Sequence, residues 1–180
     1  LALLAARSAR RVVATDVVEA CVRCTWRNAL MNGFEVQVDV RLGDLFAPVA
    51  GETFDLVLTN PPQMPTPRGR EAGGDEAAAD DGGPDGWAIL DRVIREAPAH
   101  LKQGGQLVFT LFDFLGEQNA FRRLKEAGLS PVIIARESQP FPRLARERLD
   151  HIRLVDAEQT LPPTGVPATC ERLVICGRKA

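Results

Sequence analysis

Apolar positions along this chain alternate between strand spacing and helix spacing several times over. "RVVAT" (11–15) is short and β-branched and runs into Asp16, which is the pattern of a buried strand. Val18, Cys21, Val22, Thr25, Trp26 and Ala29 then follow helical spacing, and Gly33 is a stop signal. "EVQVDVRL" (35–42) alternates as a strand does, and "FDLVLT" (54–59) reads as another buried strand. Trp87, Leu90, Val93, Ile94, Ala97 and Leu101 return to helical spacing. "KQGG" predicts a tight turn before the strand "QLVFTLF" (106–112). A helix over 117–128, a strand "PVIIAR" (131–136), a long connection and a last strand "ERLVICGRK" (171–179) complete the order. Before all of these, "LALLAAR" looks like the tail of an apolar helix.

Strands that are apolar on both faces and alternate with helices predict an α/β fold, a doubly wound and mostly parallel sheet. The last strand has no clear helix before it. It is expected to run antiparallel, pairing with 131–136 at one edge. One stretch breaks the pattern. Within 60–86, "TPRGREAGGDEAAADDGGPDG" is rich in Gly and acid and poor in apolar side chains, so a mobile loop is expected over Thr66 to Gly86, placed to act as a lid.

The 180 residues suffice for a single domain with its own core, and 1–180 is read as one domain. The net charge of −2 gives no global basic field for nucleic acid, and no apolar run is long enough to cross a bilayer. Cys21, Cys24, Cys170 and Cys176 do not have zinc-site spacing, so no metal is expected and a cytoplasmic setting is read. Cys21 is assigned to the apolar face of its helix. Arg136, Arg143, Arg146, Arg148 and Arg153 are interleaved with acids and read as a solvated face rather than an RNA patch. His100 and His151 are assigned no role as a general base.

In open α/β sheets, ligands bind beyond the carboxyl ends of the strands. Those ends carry Asp16, then Gly43-Asp44-Leu45-Phe46, then Asn60-Pro61-Pro62-Gln63, and they are expected to line one cleft. Asp16 is placed like an acid that accepts from ribose hydroxyls; its alternative is to cap the helix starting near Val17. Asp44 repeats the placement, with a turn Asp as its alternative. Each proline drives the residue before it toward extended geometry. Asn60-Pro61-Pro62 therefore predicts a stiff rim that would receive an –NH2 group, one hydrogen on the Asn60 side-chain oxygen and one on the Pro61 carbonyl.

Taken in order, "VVATD", "RNALMNG", "GDLF", "FDLVLTNPP", "GGPDGW" and "LKQGG" resemble the class I S-adenosylmethionine-dependent methyltransferases. The branch they resemble most holds the release-factor glutamine methyltransferases and the enzymes that methylate amino groups of adenine and guanine. The resemblance covers roughly residues 1–112, and "RNALMNG" and "GGPDGW" favour the protein-glutamine side. It implies S-adenosylmethionine as cofactor, with Asp16 on the ribose, Asp44 on the adenine amino group, and Val17 and Leu45 flanking the ring. Asn60 with Pro61 would hold the acceptor nitrogen, on a protein glutamine or a smaller amine or amide; Asn60 counts on the cofactor side as well. Pro62 and Gln63 complete the implied catalytic motif. Two departures stand out. The family's Gly-rich loop, Asp/Glu-x-Gly-x-Gly, does not occur, so the first strand and that loop are expected to be missing from this sequence. And the family places an aromatic ring where Gln63 stands, so Gln63 is expected to offer its amide to a polar acceptor, with Trp87, Phe112 or Phe114 as replacement rings. Nucleic-acid amino methylation and a catalytically silent binding partner remain the alternatives.

Overall fold

The structure is a computed structural model, and it describes residues 1–69 and 79–180. The chain divides into two compact units, Leu1–Glu52 and Thr53–Ala180.

In the first unit, β1 (Val12–Asp16) and β2 (Val38–Leu42) run parallel, Val12 opposite Val38 and Asp16 opposite Leu42. Helices α1 (Ala2–Ala6) and α2 (Glu19–Met31) accompany them. Ala6, Ala29 and Val38 form a small core, with Leu3, Val12, Phe34 and Val40 packed against it. Two strands at ~4.8 Å spacing make a ribbon too narrow to cover a long helix. Accordingly Ala29 is the buried residue of α2, Trp26 is half exposed, and Cys21, assigned above to an apolar face, is exposed. The strand expected from 35 begins three residues later. Residues 34–37 form a turn instead, with Gln37 and Val38 N–H both donating to the Phe34 carbonyl at 3.0 and 2.9 Å. Behind the sheet, Arg41 binds Asp39 (2.6 Å), Glu52 and the Pro48 carbonyl (2.8 Å), and Arg11 reaches Glu52 at 2.9 Å and Asp39 at 3.3 Å.

The second unit is a four-stranded sheet in the order β3 (Phe54–Thr59), β4 (Leu101–Phe112), β6 (Thr169–Lys179), β5 (Leu129–Pro140). β3 and β4 are parallel, and β6 is antiparallel to both β4 and β5. The last strand is thus antiparallel as expected, but it lies between β4 and β5 rather than at an edge. "KQGG" is an excursion within β4: Phe54 faces Leu101 while Leu56 faces Gln106, so four residues of β4 stand against the single Asp55 of β3.

Helix α3 (Ala88–His100) buries Leu90, Val93, Ile94 and Ala97, the face its spacing predicts. Pro98 sits in its last turn, where Lys179 from β6 donates to the Pro98 and Leu101 carbonyls at 2.6 and 2.8 Å. A cation there suits the negative end of the helix. Helix α4 (Glu117–Glu126) buries Ala120 and Leu124; the Glu158 carboxylate accepts from the Asn119 and Gln118 N–H groups of its first turn at 2.7 and 3.2 Å. The long connection after β5 contains α5 (Arg143–Glu147) and α6 (Leu149–Val155).

Candidate functional site

At the carboxyl end of β1, Asp16 is half-buried and its Oδ1 accepts from the Val18 N–H at 2.9 Å. That bond makes a local turn before α2 begins at Glu19, so capping takes only one of the two carboxylate oxygens. At the neighbouring end of β2 the chain turns through Gly43, whose N–H donates to the Asp16 carbonyl at 2.9 Å. Leu45 stands at φ 45°, a conformation leucine rarely adopts, and its carbonyl accepts from the Thr15 hydroxyl at 3.0 Å. Asp44 is exposed, Leu45 is half-buried, and Val17 is 55% exposed, a large apolar side chain left in solvent. Two carboxylates and two aliphatic side chains thus stand at the ends of two adjacent strands. That donor set fits a nucleoside, with acids for hydroxyl and amino groups and apolar walls for a ring.

In the second unit, Thr59 of β3 pairs with Phe109 of β4, so one step further on Asn60 meets Thr110. The Thr110 hydroxyl donates to Asn60 Oδ1. Asn60 is exposed and Pro61 behind it is buried. Gln63 is 3% exposed. Its Nε2 donates to the Thr110 carbonyl at 3.1 Å and the Pro61 carbonyl at 3.3 Å, and its Oε1 accepts from the Phe112 N–H at 2.9 Å. The expectation of an acceptor-facing amide is therefore corrected. Both ends of the Gln63 side chain are engaged by backbone, because the two prolines turn it inward against the end of β4.

The replacement rings are buried too. Trp87 is 3% exposed, with its indole N–H on the Leu115 carbonyl at 3.2 Å and the Arg123 guanidinium over its ring. Phe112 stacks on Phe114 at 4.8 Å between centroids, and Arg172 lies over the Phe112 ring. Next to them, burial pushes the Asp113 carboxyl up, opposed by hydrogen bonds from the Glu171 and Phe114 N–H groups.

Within the expected mobile loop, 70–78 lie outside the described residues. The flanks that are described are pinned. Met64 N–H donates to the Asp80 carbonyl, and Gly82 N–H returns a bond to Met64, both at 3.0 Å; Thr66 N–H donates to Gly83 at 2.9 Å. A Cβ on Gly82 would sit 2.6 Å from Gln63 Cα, and one on Gly86 would sit 2.7 Å from the Gln63 carbonyl oxygen. The glycines of "GGPDG" let one stretch of backbone lie directly on the other. From α5–α6, Arg148 donates to the Thr66 hydroxyl at 2.7 Å, and His151 is 2.7 Å from the Pro84 carbonyl. Sequence reasoning assigned no role to Thr110 and counted Arg148 with a solvated face. The visible signal for Thr110 was a lone hydroxyl inside "QLVFTLF".

Residues 1–69 match the family described as "Methyltransferase small domain". The provisionally named protein N5-glutamine methyltransferase MJ0928 of Methanocaldococcus jannaschii is 36% identical over 140 residues, 78% of this chain and 70% of that protein. A release factor glutamine methyltransferase of Cereibacter sphaeroides is 32% identical over 161 residues, 82% of this chain but 54% of the relative. Among solved structures, a methyltransferase from Pyrococcus furiosus superposes with a TM-score of 0.58 at 20% identity, covering 99% of this chain and 68% of the other. The fold is that of the Rossmann-like methyltransferases, and the chain belongs to the methyltransferase family that holds these protein-glutamine enzymes. Members of this family use S-adenosylmethionine.

Proposed function

We propose that this protein transfers a methyl group from S-adenosylmethionine to the side-chain amide nitrogen of a glutamine in a protein. The observation that carries this reading is Asn60, an exposed amide at the carboxyl end of β3, followed by a buried Pro61 whose carbonyl is held in place. The relatives' names support glutamine as the acceptor residue. The cofactor would supply an electrophilic methyl group. Asp16 would bind its ribose, Asp44 its adenine amino group, and Val17 and Leu45 would flank the ring. Asn60 Oδ1 and the Pro61 carbonyl would each accept one hydrogen of the acceptor –NH2, aiming the nitrogen lone pair. Transfer would break the sulfonium S–CH3 bond, leaving S-adenosylhomocysteine, replace one amide N–H by N–CH3 and release one proton to solvent. Alignment supplies most of the acceleration. Pro62 contributes rigidity.

Buried Gln63, Trp87, Phe112 and Phe114 leave no ring of the expected set to stack on a flat base, worth about 1–3 kcal/mol per base. That favours glutamine over a nucleobase. A cytoplasmic setting fits four cysteines that form no disulfide. No described helix is long and apolar enough to cross a membrane. The test is Asn60→Ala. Methylation of a glutamine acceptor should be lost while S-adenosylhomocysteine affinity, read by calorimetry, stays nearly unchanged. Undiminished transfer by the variant would remove Asn60 from the reaction.

A further inference from the structure

Gln63 occupies the position at which the resemblance places a ring, yet it does not face outward. Its amide meets one N–H and two carbonyls, so its orientation is fixed by chemistry: Oε1 must face the Phe112 N–H, and Nε2 must face the Thr110 and Pro61 carbonyls. Thr110 is the second member of the arrangement. Its carbonyl receives Gln63, and its hydroxyl donates to Asn60 Oδ1. The two oxygens assigned to the acceptor's –NH2 are therefore each held by one internal donor. An amide or carbonyl oxygen has two lone-pair sites, so one remains on each for the acceptor. Without Thr110, an exposed Asn60 side chain would rotate and present Nδ2 as readily as Oδ1.

We propose that Gln63 and Thr110 are positioning residues for methyl transfer, which lock Asn60 Oδ1 and the Pro61 carbonyl to the end of β4 as one rigid pair of acceptors. This inference rests on the proposed glutamine methylation. It assigns Gln63 the work of holding the motif from behind, where a ring at the same place would hold the substrate from in front.

Thr110→Val and Thr110→Ser separate positioning from folding, since valine keeps the shape and removes the hydroxyl while serine keeps the hydroxyl. With the full chain, labelled S-adenosylmethionine and a glutamine-containing acceptor, Thr110→Val should lower kcat on the order of 10–100-fold. KM and S-adenosylhomocysteine affinity should change by less than about threefold, because the lost order matters in the transition state. Thr110→Ser should recover most of kcat. A Thr110→Val enzyme with unaltered kcat overturns the proposal. A second reading needs no turnover: the side-chain NH2 resonances of Asn60. They should move or broaden in Thr110→Val and stay in place in Thr110→Ser; identical spectra in Thr110→Val overturn the proposal equally. If the unaltered protein methylates no glutamine acceptor, the proposed function fails by itself, and these resonances still decide whether Thr110 fixes Asn60.

Discussion

Three backbone groups, the Phe112 N–H and the carbonyls of Pro61 and Thr110, converge on the buried amide of Gln63. A leucine fits the volume but satisfies none of them, and an unpaired buried polar group costs about 1–3 kcal/mol. Gln63→Leu should therefore lower the unfolding free energy by roughly 2–4 kcal/mol, allowing for partial access of water. Chemical denaturation checks this, and a loss near zero would mean that the three groups find other partners. Gln63→Glu should do no better, since it sets a carboxylate oxygen against two carbonyls. At the other set of strand ends, Asp16 keeps one oxygen beyond its bond to the Val18 N–H. Asp16→Ala should weaken S-adenosylhomocysteine binding by about 1.5–3 kcal/mol, the range for hydrogen bonds to a charged group. Calorimetry showing equal affinity would return Asp16 to a purely local turn. That Asn60 would stand at the carboxyl end of a strand was legible from residue chemistry alone. The inward turn of Gln63 was not, because it depends on the register of β3 against β4, which brings Thr110 beside Asn60.

Secondary elements were legible where the apolar pattern was long. "FDLVLT" is the strand Phe54–Thr59, and the helix read over 117–128 spans Glu117–Glu126. The pair α5–α6 was missed although Ala145, Leu149 and Ile152 are buried at helical spacing, since each helix is short and carries several charges. That pair grips the segment after the motif through Arg148 and Thr66. Arg148→Ala should raise amide exchange at Met64, Thr66 and Gly82 while leaving α3 protected; unchanged exchange there would make the bond incidental. Acid should act differently on the two units. Hydrogen bonds from Arg41 hold the Asp39 and Glu52 carboxyls below the ordinary range, with Arg11 contributing. A carboxyl depressed in the folded state stabilises fully above its unfolded value, about 3.9 for Asp and 4.3 for Glu, and that stabilisation is lost as pH falls through the folded value. In the second unit a hydrogen bond from Lys102 also holds Asp55 low, but that carboxylate is largely exposed and screened by solvent, whereas Asp113 has the opposite sign: burial raises it, so its ionised form costs stability near neutrality and acid relieves that cost. Exchange corrected for intrinsic rates should show Val38–Leu42 losing protection below about pH 4 before Leu107–Leu111 does. The reverse order would contradict the assignment.

Across the molecule, alternation of strands and helices identified the α/β class, and the motif order identified the family. Sheet order was beyond reach of the pattern. Nothing in "ERLVICGRK" says that it inserts between β4 and β5 instead of adding at an edge, because a strand covered on both faces looks the same in either place. The division into Leu1–Glu52 and Thr53–Ala180 was likewise not visible in composition. The chemistry assigned to the two sets of strand ends stands or falls with one measurement. The protein is incubated with methyl-labelled S-adenosylmethionine and, in parallel, with a glutamine-bearing release-factor protein, DNA and RNA, and the labelled product is hydrolysed enzymatically and identified. Glutamine methylation predicts label on protein, as N5-methylglutamine, absent with Asn60→Ala. Label on an adenine amino group in nucleic acid, with none on glutamine, would contradict it.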